Sequence, residues 1–241
     1  MKKIEIKDRV SGSVLFAHDN NNTKSAVEEA VRSKIRLTCA DLAGADLSWA
    51  NLFEAYLVEA DLGRARLDHV NLIRGDLTKA NLTGVNAAGS CAFEANLERA
   101  DLTGADLTGA NLSMTCLAGA NLSGAVLTGT NLTKADLAGA NLSGAYLEGA
   151  CLARAHLEGA RLRRGEVLVG ERPVFQISPF GRYGDCITVY STDRGMRFDL
   201  WNRRQVMREE IERYLSRDSF YVKEYQSMLR LVEAHMELWV P

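Results

Sequence analysis

The hydrophobic pattern along most of this chain repeats every five residues. From Ile35 to Arg164, steps such as Ala40-Asp41-Leu42-Ala43-Gly44, Ala100-Asp101-Leu102-Thr103-Gly104 and Ala140-Asn141-Leu142-Ser143-Gly144 follow one another without a net slip. The span holds 26 units. Leu takes the central place in 24 of them, with Ala87 and Ala92 the exceptions, and Ala takes the first place in 19. Self-similarity of this kind decides the fold before any local propensity does.

A period of five fits no ordinary element. On an α-helix five residues turn about 500°, so successive Leu would drift by about 140° around the axis. On a flat strand an odd period would send successive Leu to opposite faces. A chain that turns a corner every five residues sends every Leu inward. Gly in the last place of 12 units eases those corners, because it accepts backbone angles that other residues resist. Ala, two residues before Leu, suits a narrow interior.

The flanks read differently. Ile4 and Ile6 alternate with charged residues, Ser11-Gly12 signals a turn, and Val14-Leu15-Phe16 follows, which predicts a β-hairpin. A polar loop from Asp19 to Asn22 leads into a helix of about ten residues, with Ser25 and Glu28 as a capping box. Val27 and Val31 share one helix face, expected to sit on the first coil. Stacked strands leave unpaired backbone at their ends, so a solenoid needs such caps. Residues 165–241 hold all three prolines and two of the three tryptophans. There, Val174 to Ile177 and Cys186 to Tyr190 read as strands, and Arg203 to Leu215 and Tyr221 to Trp239 as helices. The expected organisation is a hairpin-helix cap over 1–34, a repeat domain over 35–164, and a small α+β domain over 165–241 ending in helices.

The A-(D/N)-L-x-x unit resembles the motif of the pentapeptide-repeat family, over a little more than half the chain. The resemblance implies a mainly β fold: a right-handed quadrilateral β-helix with four units, or 20 residues, per coil. That gives about six and a half coils, roughly 31 Å at about 4.8 Å per strand. The two ends together are similar to those of pentapeptide-repeat proteins carried by phages and prophages.

Composition narrows the function. The net charge of -2, with 25% charged residues, excludes a polybasic nucleic-acid binder and a strongly acidic tail. Charges in Met1 to Arg9 stand where a secretory leader needs an apolar run. No stretch approaches the length of an apolar membrane span, so no membrane contact is expected. The five cysteines include no Cys-x-x-Cys pair, so reduced thiols in a bacterial cytoplasm are expected rather than disulfides or zinc.

Catalytic chemistry finds no foothold. There is no phosphate-binding glycine loop and no nucleophile elbow. His18, His69, His156 and His235 fall in four different segments. His69 and His156 are separated by more than four coils, over roughly 20 Å. The repeat itself prescribes Asp in second places, and a convex solenoid offers no cleft to perturb a carboxylate pair. No catalytic, metal or cofactor residues are therefore expected, and the chain reads as a binding protein rather than an enzyme.

Residues 20 apart should stack on one face. Phe53, Ile73 and Phe93 occupy the fourth place of their units and form an apolar stripe over three coils, which gives way to Ser113 and Thr133. Glu54, Arg74 and Glu94 alternate in sign beside it, ready to pair as cross-strand neighbours do. Phe93 borders the one irregular stretch, Val85 to Glu94. Trp49, Tyr56 and Val58 add outward apolar groups, and contiguous apolar surface marks a contact. The candidate contact residues are Phe53, Ile73, Phe93, Trp49 and Tyr56. A terminal segment folded back, a second copy of the chain, and a foreign protein are all open as occupants.

Several members of the resembling family match duplex DNA in size and charge and inhibit type II topoisomerases such as gyrase. One column here, Asp41, Asp61, Asn81, Asp101, Asn121, Asn141, is partly acidic. Between Arg36 and Ala160 there are 14 acidic and 8 basic residues, a net charge of -6. Duplex DNA would carry roughly 18 charges over such a length. The resemblance therefore implies, first, a phage- or mobile-element-related module that inhibits or modulates a host nucleic-acid-processing or anti-phage defence enzyme. A DNA-mimicking topoisomerase inhibitor through Asp41, Asp61 and Asp101, and an assembly scaffold, are the alternatives. Direct nucleic-acid binding is not expected.

Overall fold

Parallel bridges in the computed structural model link each second-place residue to the one 20 positions on, from Asp41↔Asp61 through Asn141↔Arg161. One coil is therefore 20 residues with four five-residue sides. The structure describes residues 3–19, 22–147 and 149–162, and the backbone of 174–180, 185–192, 195–200 and 203–207. The chain divides into two units, Met1–Gly165 and Glu166–Pro241.

Each side spends its hydrogen bonds between coils. Leu42 N–H donates to the Asp61 carbonyl at 2.8 Å, Asp61 N–H to the Ala40 carbonyl at 2.8 Å, and Gly44 N–H to the Gly63 carbonyl at 2.9 Å. The same three bonds recur along the stack. Every central Leu from Leu37 to Leu162 is at most 6% exposed. Each such burial contributes about 1.5–3 kcal/mol, most of which the entropy of ordering the chain offsets.

The corner follows from the period. Ala45 N–H donates to the Leu42 carbonyl at 3.0 Å, and the intervening Gly44 has φ +66°. An i to i+3 bond with positive φ at the third residue is what a type II turn demands. Fourteen non-glycine residues among those described also adopt positive φ, and all sit on this corner register. A left-handed conformation costs an L-residue roughly 1–2 kcal/mol.

Second-place Asp and Asn bracket the side. Asp61 Oδ1 accepts from Gly63 N–H at 2.9 Å, and Asp101 Oδ1 from Thr103 N–H at 3.0 Å. This local bond, which only a short acceptor side chain can make, explains the D/N preference.

The interior is thinnest at Ala87 and Ala92. A small apolar void of about 20 Å³ opens there among Leu67, Leu72, Leu82 and Val85. Where Thr replaces a first-place Ala, its hydroxyl finds a carbonyl: Thr130 Oγ1 donates to Leu107 O at 2.7 Å, and Thr115 Oγ1 to Leu112 O.

The N-terminal segment forms a hairpin and a helix, and the helix cap differs from the one expected. β1 (Ile4–Lys7) pairs antiparallel with β2 (Val14–His18), and α1 spans Thr23–Arg32. The helix cap is Asn22, whose side chain accepts from Lys24 N–H at 2.8 Å, not Ser25. Ser25 lies inside the first turn, where it cannot serve that donor. Glu28, freed from a capping box, reaches across to accept from Asn51 N–H at 2.9 Å. Val27 and Val31 are buried beside Ala26 and Ala30. The cap also supplies the Lys7 carbonyl to Asp41 N–H at 2.7 Å, and the Lys24 ammonium to the Ser48 carbonyl at 2.8 Å. Lys7 and Glu28 thus stand in for the coil that would precede the first.

In the second unit, β3 (Val174–Phe180), β4 (Asp185–Thr192), β5 (Gly195–Leu200) and β6 (Arg203–Met207) form an antiparallel sheet in that order. The register of β3 shifts between Ile177 and Phe180, around Pro179, which has no N–H for a ladder. Arg203–Met207, expected to begin a helix, is a strand paired with β5. The open edge of β5 supplies backbone partners that override local propensity. The remainder of that helix, and the one expected over Tyr221 to Trp239, lie outside the described residues.

Candidate protein-binding face

Let side one be the units stacked on Ile35, side two those on Ala40, side three those on Ala45, and side four those on Ala50. Side four of the first three coils carries, coil by coil, Asn51, Phe53 and Glu54; Asn71, Ile73 and Arg74; Cys91, Phe93 and Glu94. The 20-residue coil stacks the three on one side: Phe53 is 39% exposed, and Ile73 and Phe93 below it are half-buried.

Asparagines brace its backbone. Asn51 Oδ1 accepts from Phe53 N–H at 3.3 Å and from Asn71 Nδ2 at 3.0 Å, while Asn71 Oδ1 accepts from Ile73 N–H at 3.2 Å. One rim of the side is a ladder of charges, with Lys34 paired to Glu54 at 3.0 Å and Arg74 to Glu94 at 2.8 Å. The hydrogen bond that Arg74 donates to Glu94 raises the Arg74 pKa.

The opposite rim is aromatic. Trp49 is 67% exposed, and its indole stacks on His69 with ring centroids 4.1 Å apart. The imidazole in turn covers Gly89, where a Cβ would come within 2.6 Å of the ring. Gly89 also has φ +64°, so a side chain there would be strained and would have to displace the His69 ring. The 20-residue spacing of Trp49 and His69 carried this signal, but His69 stood out only as a histidine too remote for catalysis.

A groove of about 450 Å³ runs between α1 and the first coil, lined by Glu28, Val31, Arg32, Lys34, Asn51 and Phe53. Its lining takes in Phe53 but neither Ile73 nor Phe93. Tyr56 is not part of this face. It lies on side one, around the Glu54 corner, where the Arg36 guanidinium sits 4.8 Å above its ring.

The acidic column on side two is engaged within the fold. Asp61 Oδ1 accepts from Asn81 Nδ2 at 2.8 Å as well as from Gly63. Asp101 Oδ1 accepts from the Thr103 hydroxyl at 2.5 Å and from Asn121 Nδ2 at 3.3 Å. Asp41 Oδ1 has a longer bond, 3.5 Å, to Ala43 N–H. Among the described residues no cluster has the makings of a metal site, and the four described cysteines are free thiols. Burial first, then the Asp8 and Glu59 carboxylates, push the Cys39 thiol up, away from reactivity. No helix among those described is long and apolar enough to cross a membrane.

The family model described as pentapeptide repeats matches in 8 copies, over residues 45–84, 93–124 and 125–164. The break it leaves contains Ala87 and Ala92, where the core is thin. No curated protein sequence matches the chain. Among solved structures, the chain is similar to HetL, a pentapeptide repeat protein involved in heterocyst differentiation regulation from Nostoc sp. strain PCC 7120. That match is 35% identical, covers 53% of this chain and 70% of HetL, and has a TM-score of 0.26. It is also similar to the pentapeptide repeat protein Rfr23 from Cyanothece 51142, at 27% identity over 58% of this chain and 96% of Rfr23, with a TM-score of 0.25. A third match is QnrB1, a plasmid-mediated fluoroquinolone resistance protein, at 22% identity over 50% of this chain, with a TM-score of 0.42. The chain spans 60% of QnrB1.

Proposed function

Because the repeat segment belongs to the pentapeptide-repeat family, we propose that the chain is a non-enzymatic protein-binding module whose contact face is side four of its first three coils. One observation carries this. Phe53, Ile73 and Phe93 stand in fourth places, where the fold needs no apolar side chain, and the same column continues as Ser113 and Thr133. Side chains that the Leu interior does not require, gathered beside an exposed Trp49–His69 stack, form a contact surface.

The partner class we assign is a host enzyme of nucleic-acid processing or anti-phage defence, met in the bacterial cytoplasm. The similarity of the termini to phage-borne members supports that assignment, and free thiols are compatible with it. The DNA-mimic reading is weaker, because Asp61 and Asp101 serve the fold and their neighbours Asn81 and Asn121 are neutral. It predicts that Asp41→Lys, Asp61→Lys and Asp101→Lys together abolish inhibition of a DNA-binding target. Inhibition that survives the triple reversal rules it out.

The contact face is tested by affinity capture from the native host with Phe53→Ser, Ile73→Ser and Phe93→Ser combined. The variant should keep its melting temperature and lose the partners that the parent captures. Unchanged capture would place the contact elsewhere and favour a scaffold.

A further inference from the structure

The four corners of the solenoid are not used alike. From residue 104 onward, the described corners at 104, 109, 119, 124, 129, 139, 144, 149 and 159 are Gly with positive φ. The exceptions are Met114, Lys134 and Arg154, with φ +59°, +58° and +59°. They differ by 20, so they stack on one edge. That edge, between sides four and one, is the column that begins Lys34, Glu54, Arg74, Glu94. It carries a side chain in every coil although its backbone favours glycine throughout.

In the upper half the fold gains something in return, because Lys34 pairs with Glu54 and Arg74 with Glu94. In the lower half that explanation ends. Met114 is 43% exposed, and Lys134 and Arg154 are exposed. Neither cation pairs with a carboxylate among the described residues. Strained, exposed positions whose cations gain no ion pair among the described residues point to a function.

Resting on the protein-binding reading above, we propose that the Met114–Lys134–Arg154 edge, one residue along from the column of the Phe53–Ile73–Phe93 stripe, forms with it one docking line for an acidic amphipathic helix of a protein partner. The spacing favours a helix. Coils are about 4.8 Å apart, close to the roughly 5–6 Å between i, i+3 and i+4 side chains on a helix. Alternate residues of a strand stand about 6.6–6.8 Å apart and would fall out of step. The charge favours acid at the Lys134–Arg154 end and apolar residues at the stripe, with the pliable Met114 between them. From Phe53 to Arg154 is five coils, roughly 24 Å, which about 16 helical residues span.

The test uses a fluorescein-labelled helical peptide of about 18 residues, with Leu at helical spacing over its first part and Glu over the rest. Polarisation should report binding to the parent chain, weakened as salt rises from about 50 to about 500 mM. Met114→Gly, Lys134→Gly and Arg154→Gly combined should weaken binding roughly tenfold or more. The same variant should melt several degrees higher, because glycine relieves the corners. The exchanged pair Lys134→Arg and Arg154→Lys should bind like the parent. Three results would each overturn the proposal: no binding to the parent, undiminished binding by the glycine variant, or a lower melting temperature for it. A single-stranded oligonucleotide that binds the edge in place of the peptide would also overturn it. If the Phe53→Ser, Ile73→Ser, Phe93→Ser variant loses the peptide while the glycine variant keeps it, the edge falls and the contact face stands.

Discussion

A single position in the unit shows how strictly the fold sorts residues. Leu102 is 2% exposed on the axis, while Asp101 beside it faces outward and brackets Thr103. Leu102→Asp buries an unpaired carboxylate and should cost several kcal/mol, whereas Asp101→Asn keeps the acceptor and should be nearly neutral. Thermal melts of the two variants check this, and similar melting temperatures would contradict the inward register. The brackets also have a pH signature. Hydrogen bonds from the Ser48 hydroxyl and N–H hold the Asp46 carboxyl below the usual carboxylate value, as those from Ser11 and Val10 N–H do for Asp8. A depressed folded pKa contributes stability that is complete above the ordinary value of about 3.8 and is lost as pH falls below it. Asp46→Asn keeps the acceptor without the titration, so the variant should lose less stability than the parent between pH 5 and the acid range, in melts run across that series.

At the scale of elements, the cap shows what the sequence could and could not disclose. The hairpin was legible from Ile4 and Ile6 alternating with charges, and the helix from Val27 and Val31. The role of Glu28 was not. Ser25 and Glu28 have capping-box spacing, yet Asn22 takes the cap and Glu28 serves a backbone N–H 23 residues away. That bond exists because the first coil lacks a predecessor, a tertiary fact that local spacing does not encode. Arg203–Met207 makes the same point, since a partner strand decided its state. Glu28→Ala removes the acceptor of the exposed Asn51 N–H and should cost about 0.5–1.5 kcal/mol, while Ser25→Ala should change stability little. Denaturant titration of the two variants distinguishes the roles, and equal losses would restore the capping box.

For the molecule as a whole, a period of five dictated the 20-residue coil, and with it which residues share a side. The stripe was legible for that reason, and so was the charge ladder beside it. The Trp49–His69–Gly89 corner was harder to see, because its meaning depends on a ring lying over a glycine one coil away. The separation of Tyr56 from the stripe needed the corner at Glu54 to be placed. The exposed aromatics and the strained, side-chain-bearing edge converge on side four, which is why the contact is proposed there rather than on the Asn-rich column of side two.

Hydroxyl-radical footprinting of the chain captured with its partner, against the isolated chain, tests that assignment most directly. Trp49 and Phe53 should be protected in the complex, together with Phe93. Tyr146, 55% exposed on side three, should be oxidised equally in both. Protection of Tyr146 with Trp49, Phe53 and Phe93 left as reactive as in the free chain would contradict the contact face.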